Sequence, residues 1–207
     1  MSRDGLERLV IAISGASGSR YAALLLQHVV TRVPDVAVVL SSVAPRVIVH
    51  ELGLSLSNRR FDPALLLGDV TLPPGHRLKA WGIADFSAPF ASGSNACDAM
   101  VIVPASQGLI GRIAAGVSDC LITRAADVCL KERRPLIVVP REAPLSLIHL
   151  RNWTTLTEAG AVVLPACPSF YGRPETVEAV MMTVVDRILA HLGLGREGAY
   201  HWGEDER

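Results

Sequence analysis

Leu9-Val10-Ile11-Ala12-Ile13-Ser14-Gly15-Ala16-Ser17-Gly18-Ser19-Arg20 is the stretch whose reading decides the fold. Five consecutive apolar residues suit a strand buried on both faces. The run stops at small residues. Tyr21, Leu24, Leu25 and His28 then recur at i, i+3, i+4 and i+7, the spacing of a helix face. A buried strand thus ends in a loop that opens a helix. In such a loop, backbone N–H groups and hydroxyls can approach an anion at the helix N-terminus. Two glycines allow approaches that larger residues would block. Two readings stand at this point: a seat for a phosphate-bearing ligand, or a glycine turn that only redirects the chain.

Working outward, apolar strand-like runs recur at Val36–Leu40, Met100–Val103, Leu136–Val139 and Ala161–Leu164. Helical segments separate most of them. Pro45 suits the first turn of a helix running to Glu51. Two helical stretches fill Gln107 to Glu132. Another runs from Leu145 to Glu158 and stops at Gly160, a C-cap. The last follows Pro174, with an apolar stripe of Val177, Val180, Met181, Val184, Val185, Ile188, Leu189 and Leu192. Alternating strands and helices predict an α/β fold: a doubly wound, Rossmann-like parallel sheet with helices on both faces. The 207 residues read as one domain, with a core over about 8–192 and a polar, mobile tail over 193–207 apart from Trp202. Residues 53–95, rich in Pro, Gly and Ser, are the least regular stretch and read as a lid or an oligomer contact.

Composition narrows the function. Half of the residues are hydrophobic, only 5% are aromatic, and 20 basic residues balance 20 acidic ones. A zero net charge argues against nucleic-acid binding by bulk charge. The apolar surplus points to surface buried in an oligomer. Cys97, Cys120, Cys129 and Cys167 form no C-x-x-C pair and no zinc spacing, so they read mostly as small core residues in a reducing compartment. Met1 to Arg8 carries both charge signs, and the apolar run after it is too short for a signal peptide or membrane span, so the expected location is cytoplasmic.

Ligands of such sheets sit beyond the strands' C-terminal ends. The second strand ends in Ser41-Ser42, where a dinucleotide site would carry an acidic residue; Asp35 lies at the wrong end. Hydroxyls there fit a mononucleotide such as FMN better than NAD, or one of them caps the next helix. The third strand ends in Pro104-Ala105-Ser106-Gln107-Gly108. The fourth ends in Pro140-Arg141-Glu142-Ala143-Pro144, an Arg-Glu pair that is either functional or a salt bridge. The fifth leads to Pro168-Ser169-Phe170-Tyr171-Gly172-Arg173-Pro174. Tyr171 either donates to a phosphate, stacks on a ring, or is simply half buried. Arg124 and Lys131, seven apart, share one helix face, either aimed at one anion or solvated near a helix end. His50, His76 and His149 lack ligand-spaced partners.

Taken together, Ile13-Ser14-Gly15-Ala16-Ser17-Gly18, Leu121-Ile122-Thr123-Arg124-Ala125-Ala126-Asp127-Val128, Leu130-Lys131-Glu132-Arg133-Arg134-Pro135-Leu136 and Pro140-Arg141-Glu142-Ala143-Pro144-Leu145 resemble the flavin prenyltransferases of the UbiX type. Phe170-Tyr171-Gly172-Arg173-Pro174 adds to the likeness, which runs from about Leu9 to Leu192. The resemblance implies transfer of a dimethylallyl group from dimethylallyl monophosphate to N5 and C6 of reduced FMN, without a metal. The prenylated FMN then serves a partner decarboxylase. It also implies a large homo-oligomer, a dodecamer, with active sites where subunits meet. By the same resemblance, FMN contacts Gly15, Ala16, Ser17, Ser41, the Ser106-Gln107-Gly108-Leu109 stretch and Arg124. Lys131, Arg141, Tyr171 and Arg187 hold the prenyl phosphate. Ser17 and Glu142 handle the leaving phosphate and its proton, Glu51 matches a carboxylate near the flavin from a neighbouring subunit, and Trp202 matches a tail aromatic that closes over the site.

One departure stands out. The family often has a lysine and a hydroxyl residue just after the serine matching Ser106, and here the residues are Gln107-Gly108-Leu109. Two other functions compete: a flavin-dependent cysteine-type decarboxylase and a non-catalytic FMN-binding or delivery protein. The first lacks its Pro-x-Met-Asn segment here. The second has no need of Lys131, Tyr171 or the Arg141-Glu142 pair.

Overall fold

The computed structural model describes residues 5–54 and 61–203. Its elements in chain order are β1 (Arg8–Ile13), α1 (Ser19–Val29), β2 (Asp35–Leu40), α2 (Ala44–Leu52), β3 (Arg77–Trp81), β4 (Ala99–Ala105), α3 (Gln107–Ala114), α4 (Leu121–Lys131), β5 (Leu136–Pro140), α5 (Leu147–Glu158), β6 (Val162–Val163) and α6 (Val177–His191). The six strands form one sheet in the order β3-β2-β1-β4-β5-β6. Every pairing is parallel. The chain winds outward from β1 in one direction, then returns to β4 and winds in the other. The order therefore reverses between β1 and β4, where a crevice opens at the strands' C-terminal ends.

Alternation along the strands explains the two faces. Leu9, Ile11 and Ile13 of β1 join Val36 and Val38, Val101 and Val103, and Ile137 and Val139 in one buried cluster with α1, α2 and α6. Val10 and Ala12 join Ala37, Val39, Met100, Ile102 and Val138 in a second cluster with α3, α4 and α5. With both faces covered, the central strands must be apolar at every position, which is why they read as unbroken runs. Among the described residues no helix is long and apolar enough to cross a membrane.

The structure corrects several expectations. The irregular 53–95 stretch supplies an edge strand, β3, paired in register with β2. Arg77 and Lys79 face outward, while Leu78 and Ala80 are partly covered. The alternation of an edge strand was there to be read. The last strand shortens to two residues. The α6 stripe splits, with Val184, Val185, Ile188 and Leu189 buried but Val177 78% exposed. Only Cys97 and Cys129 are core cysteines; Cys120 is intermediate and Cys167 exposed. Among the described residues the start of the tail makes contacts with α6 and with Arg32, just past the end of α1. Arg196 grips Asp186 of α6 through two bonds of 2.8 and 2.9 Å, and Leu194 O accepts from Arg32 at 3.0 Å.

Ser14 joins the two halves of the sheet. It is 1% exposed. Its hydroxyl donates to Pro104 O at 2.7 Å and accepts from Ser106 N at 2.7 Å, while its own N–H reaches Pro104 O at 3.1 Å. Removing the hydroxyl strands a Ser106 N–H at the buried junction. Ser14→Ala is therefore expected to cost about 1–3 kcal/mol. The check is urea unfolding: the midpoint falls with the slope unchanged.

Candidate functional site

The loop after β1 is built from small residues because α2 presses on it. A Cβ at Gly15 would sit 2.8 Å from Val43 Cβ, so only glycine fits. Gly18 has φ +122°, which a side chain rarely tolerates. The α1 N-terminus has no capping side chain of its own. Its open N–H groups carry the positive end of the helix. Glu51, at the end of α2, fills that role. Gly18 N donates to both Glu51 oxygens at 3.0 Å, and Ser19 N donates to Oε2 at 2.7 Å. Partial burial alone would raise this carboxyl's pKa. Interaction with the Ser17 side chain and hydrogen bonds from the Gly18 and Ser19 amides outweigh it, so the pKa falls below the usual range. The loop is thus an anion seat that already holds a carboxylate. Within one chain, Glu51 reaches the α1 N-terminus at Gly18 and Ser19.

Four further predicted residues gather at the same edge. Ser41 follows β2, its N–H bonded to Ile13 O at 2.9 Å, and its hydroxyl accepts from Ala44 N at 3.2 Å. It caps α2 while flanking the loop. Ser41 and Ser42 also line a groove of about 940 Å³ across the ends of β2 and β3. Arg141, just past β5, donates from Nε to Ser17 O at 3.1 Å, which brings the Arg141-Glu142 segment to the loop. Glu142 accepts only from the next amide, Ala143 N, at 3.2 Å, and its carboxyl is exposed. Arg141 and Glu142 are therefore not a salt bridge to each other in the structure.

The Gln107-Gly108-Leu109 departure has a structural account. Gln107 is buried and accepts from Trp153 Nε1 at 3.0 Å. Leu109 is in the core, and nothing lies within 4 Å of a Cβ at Gly108. The first α3 bond runs from Ile110 N to Ser106 O at 3.0 Å. The N–H groups of Gln107, Gly108 and Leu109 thus have no partner within the helix. This stretch offers main-chain donors, which do not depend on the side chains that differ.

Tyr171 and Arg187 lie on the α6 side. Arg187 lines a cavity of about 570 Å³ with Ser169, Thr176, Thr183 and Tyr200. Tyr171 stacks on Tyr200, centroids 6.5 Å apart, and meets Trp202 edge-on at 4.9 Å. The tail therefore touches Tyr171, which stays 68% exposed. An Arg20–Glu178 ion pair ties the loop end of α1 to the start of α6.

Arg124 and Lys131 are not brought to this edge together. Seven residues of helix separate them by about 10 Å. Arg124 donates to Ala91 O at 2.9 Å and to Asp127 at 3.2 Å. Lys131 pairs with Glu132, and a side chain at Gly93 would collide with both. Since α4 leads into the start of β5, Lys131 lies toward the opposite edge of the sheet from Arg141. One chain thus assembles Gly15, Ala16, Ser17, Ser41, Glu51, Ser106 and Arg141, but not Lys131; Arg187 lines the separate α6 cavity and Tyr171 lies in the segment before α6. The histidines take structural roles: His149 caps α5 by accepting from Ser146 N at 3.2 Å, and His76 Nδ1 lies 2.8 Å from Val30 O. Among the described residues no three of His, Cys, Asp and Glu form a metal-holding group. The sequence pointed to backbone N–H groups in this loop as anion donors, but not to Gly18 and Ser19 individually, nor to Ser14 as a tie between β1 and β4. A hydroxyl ending a buried strand and an uncapped helix start were the available signals.

Glu51 gives the site a pH signature. A carboxyl held below its unfolded pKa adds stability that is fully present above the unfolded value. That stability is lost as pH falls through the folded value. Wild type should therefore lose stability below the ordinary glutamate pKa of about 4.3. Glu51→Gln should lack this component, and denaturant midpoints measured in pH steps check it. Parallel curves for the two proteins would contradict the assignment.

The profile of the Flavoprotein family matches residues 2–189. Flavin prenyltransferase UbiX of Pseudomonas aeruginosa is 42% identical over 201 residues, covering 97% of this chain and 96% of its own. That of Thermoplasma acidophilum is 46% identical over 195 residues, covering 94% and 99%. Among solved structures, a dodecameric FMN-dependent UbiX-like decarboxylase from Escherichia coli O157:H7 superposes with TM-score 0.80 at 38% identity, covering 94% of this chain and 98% of the other. AnUbiX in complex with FMN and dimethylallyl pyrophosphate gives 0.80 at 34%, covering 95% and 97%. An FMN-dependent cysteine decarboxylase, TvaF, shares the fold alone, with TM-score 0.55 at 18% identity. With near-complete coverage at these identities, the chain belongs to the Flavoprotein family and, within it, to the flavin prenyltransferases of the UbiX type.

Proposed function

We propose that the protein transfers a dimethylallyl group from dimethylallyl monophosphate to N5 and C6 of reduced FMN. The observation that carries this reading is the anion seat at Gly15–Ser19 with Arg141 hydrogen-bonded to its Ser17 carbonyl at 3.1 Å and the Glu142 carboxyl next in sequence. The nearly full-length likeness to flavin prenyltransferases supports it.

The chemistry asks for what these side chains can do. Reduced FMN supplies the nucleophilic N5. The allylic C–O bond breaks with its electron pair leaving on phosphate, so negative charge grows there. Arg141, Tyr171 and Arg187 donate to that charge. In this role the cations replace the positive charge that a divalent metal gives other prenyl-transfer enzymes. Glu142 supplies a proton to the departing phosphate and recovers one, and Ser17 donates a hydrogen bond to it. Tyr200 and Trp202 close an apolar lid that shelters the developing allyl cation from water. Gly15, Ala16, Ser17, Ser41 and the main chain of Ser106 to Leu109 hold FMN, and Glu51 lies beside it.

Arg124 and Lys131 complete the site of another copy in a homo-oligomer. This reading accounts for Lys131, which lies toward the opposite edge of the sheet from Arg141 within one chain. A dodecamer is the assembly proposed, in the cytoplasm, from one domain per chain. The prenylated FMN passes to a partner decarboxylase.

Under anaerobic conditions with reduced FMN and dimethylallyl monophosphate, the enzyme should release phosphate and add a five-carbon unit to the flavin, read by mass. Oxidised FMN should be inert. Glu142→Gln should slow this by about 10²-fold or more while FMN stays bound. Unmodified flavin from wild type, beside an active relative, would sink the proposal. A second test separates the two phosphates. Arg141→Ala should reduce turnover more than FMN affinity, and Arg124→Ala the reverse, by activity and flavin titration. Equal FMN loss in both variants would merge the two sites into one.

A further inference from the structure

Two buried thiols take no part in the chemistry above. Cys97, just before β4, is 3% exposed, and Cys129, on the inner face of α4, is 0% exposed. Their sulfurs lie 3.6 Å apart. Buried cysteines are common as small apolar residues, but they seldom face each other. Cys97 also lines a cavity of about 420 Å³ with Arg8, Trp81, Pro89, Phe90 and Asn95, on the α4 side of β1 to β3. A small oxidant therefore has a path to Cys97 that it lacks to Cys129.

We propose that Cys97 and Cys129 are a redox-sensitive dithiol that hydrogen peroxide converts to an intrachain disulfide, fastening α4 to the segment that enters β4. The two thiols are not equivalent. Either sulfur can donate across the 3.6 Å contact, but Cys97 is the one that lines the cavity. With Cys129 as donor the bond favours the Cys97 thiolate against the opposing effect of burial, the Cys97 amide and Arg8 help, and Asp98 opposes. The same hydrogen bond, with burial and the Cys97 charge, pushes Cys129 up and keeps it protonated, against the smaller effect of Arg134. Cys97 is thus the attacking sulfur.

The chemistry balances in two steps. The Cys97 thiolate attacks one peroxide oxygen, the O–O bond breaks, and the departing hydroxide leaves as water after taking a proton. Cys97 is then a sulfenic acid. Cys129 sulfur attacks it, the S–O bond breaks, and the leaving hydroxide takes the Cys129 proton as a second water. Two electrons pass from the sulfurs to the peroxide.

The sulfurs must close from 3.6 Å by about 1.5 Å to reach disulfide length. Cys97 sits in a short non-helical link after the turn Gly93–Asn95, the more adjustable side of the pair. The bridge would fall between two contacts of α4 with that link's neighbours. Arg124 holds Ala91 O on one side, and Lys131 and Glu132 press on Gly93 on the other. Oxidation would therefore act on the helix that carries both cations.

The test uses full-length folded protein with Cys120→Ser and Cys167→Ser, so only the pair remains. Hydrogen peroxide should lower the intact mass by two hydrogens, remove both thiols together and be reversed by dithiothreitol. Adding Cys97→Ser should slow loss of the Cys129 thiol by at least about tenfold. Adding Cys129→Ser should leave a Cys97 sulfenic acid that dimedone traps. Peptide mapping of peroxide-treated wild type should find a Cys97–Cys129 linkage, which covers the case of a variant that does not fold. Oxygen gain to sulfinate without loss of two hydrogens, linkage between chains, or thiols inert until denaturation would each overturn the proposal. None of these readouts depends on prenyl transfer.

Discussion

The Ser14 hydroxyl holds the architecture of the site together. The chain leaves β1 on one side of the sheet and returns at β4 on the other, so the crevice between their ends has no covalent connection across it. Ser14 supplies one. It accepts from Ser106 N and donates to Pro104 O, both at 2.7 Å, at the point where two ligand-facing loops begin. Pro104 has no N–H of its own to give to the sheet, and β4 slips in register against β5 between Ile102 and Ala105. A buried hydroxyl with both of its functions used restores order there. The Gly15–Gly18 loop and the α3 N-terminus thereby keep a fixed relation, which a ligand spanning them requires.

Charge at the site is held in reserve rather than left bare. The α1 amides hold Glu51 and Arg141 rests on a backbone carbonyl; away from this edge, Arg124 rests on Asp127 and Lys131 on Glu132. These groups are at least partly exposed, so exchanging such a partner for a phosphate costs less than uncovering a buried charge. The Glu51 carboxylate has the same hydrogen-bonding needs as a phosphate oxygen. The tail acts differently. Its attachment through Arg196 and Asp186 brings the Tyr200 and Trp202 rings into contact with Tyr171.

Much of this was legible before folding because it is local or periodic. Unbroken apolar runs revealed the central strands, since both of their faces are covered. The small residues after Ile13 revealed a loop under steric pressure, and Gly15 against Val43 shows where that pressure comes from. The β3 strand was readable in Arg77-Leu78-Lys79-Ala80 but was hidden by the Pro- and Gly-rich residues around it. The tail was misread because its anchor is a pair ten residues apart, Asp186 and Arg196, whose meaning depends on the chain turning back after α6.

What the sequence determined by itself was the fold class, the strand ends that face the ligand and the residue types that serve phosphate chemistry. These follow from hydrophobic periodicity and from what glycine and serine permit a backbone to do. Only the tertiary structure decided which of those residues meet. Glu51 reaches its own chain's loop, Arg141 joins that loop, and Lys131 lies toward the opposite edge. Cys97 faces Cys129 across thirty-two residues of sequence. The physical reason is that side-chain proximity across a doubly wound sheet depends on strand order and crossover direction. Neither is encoded in the spacing of residues along the chain.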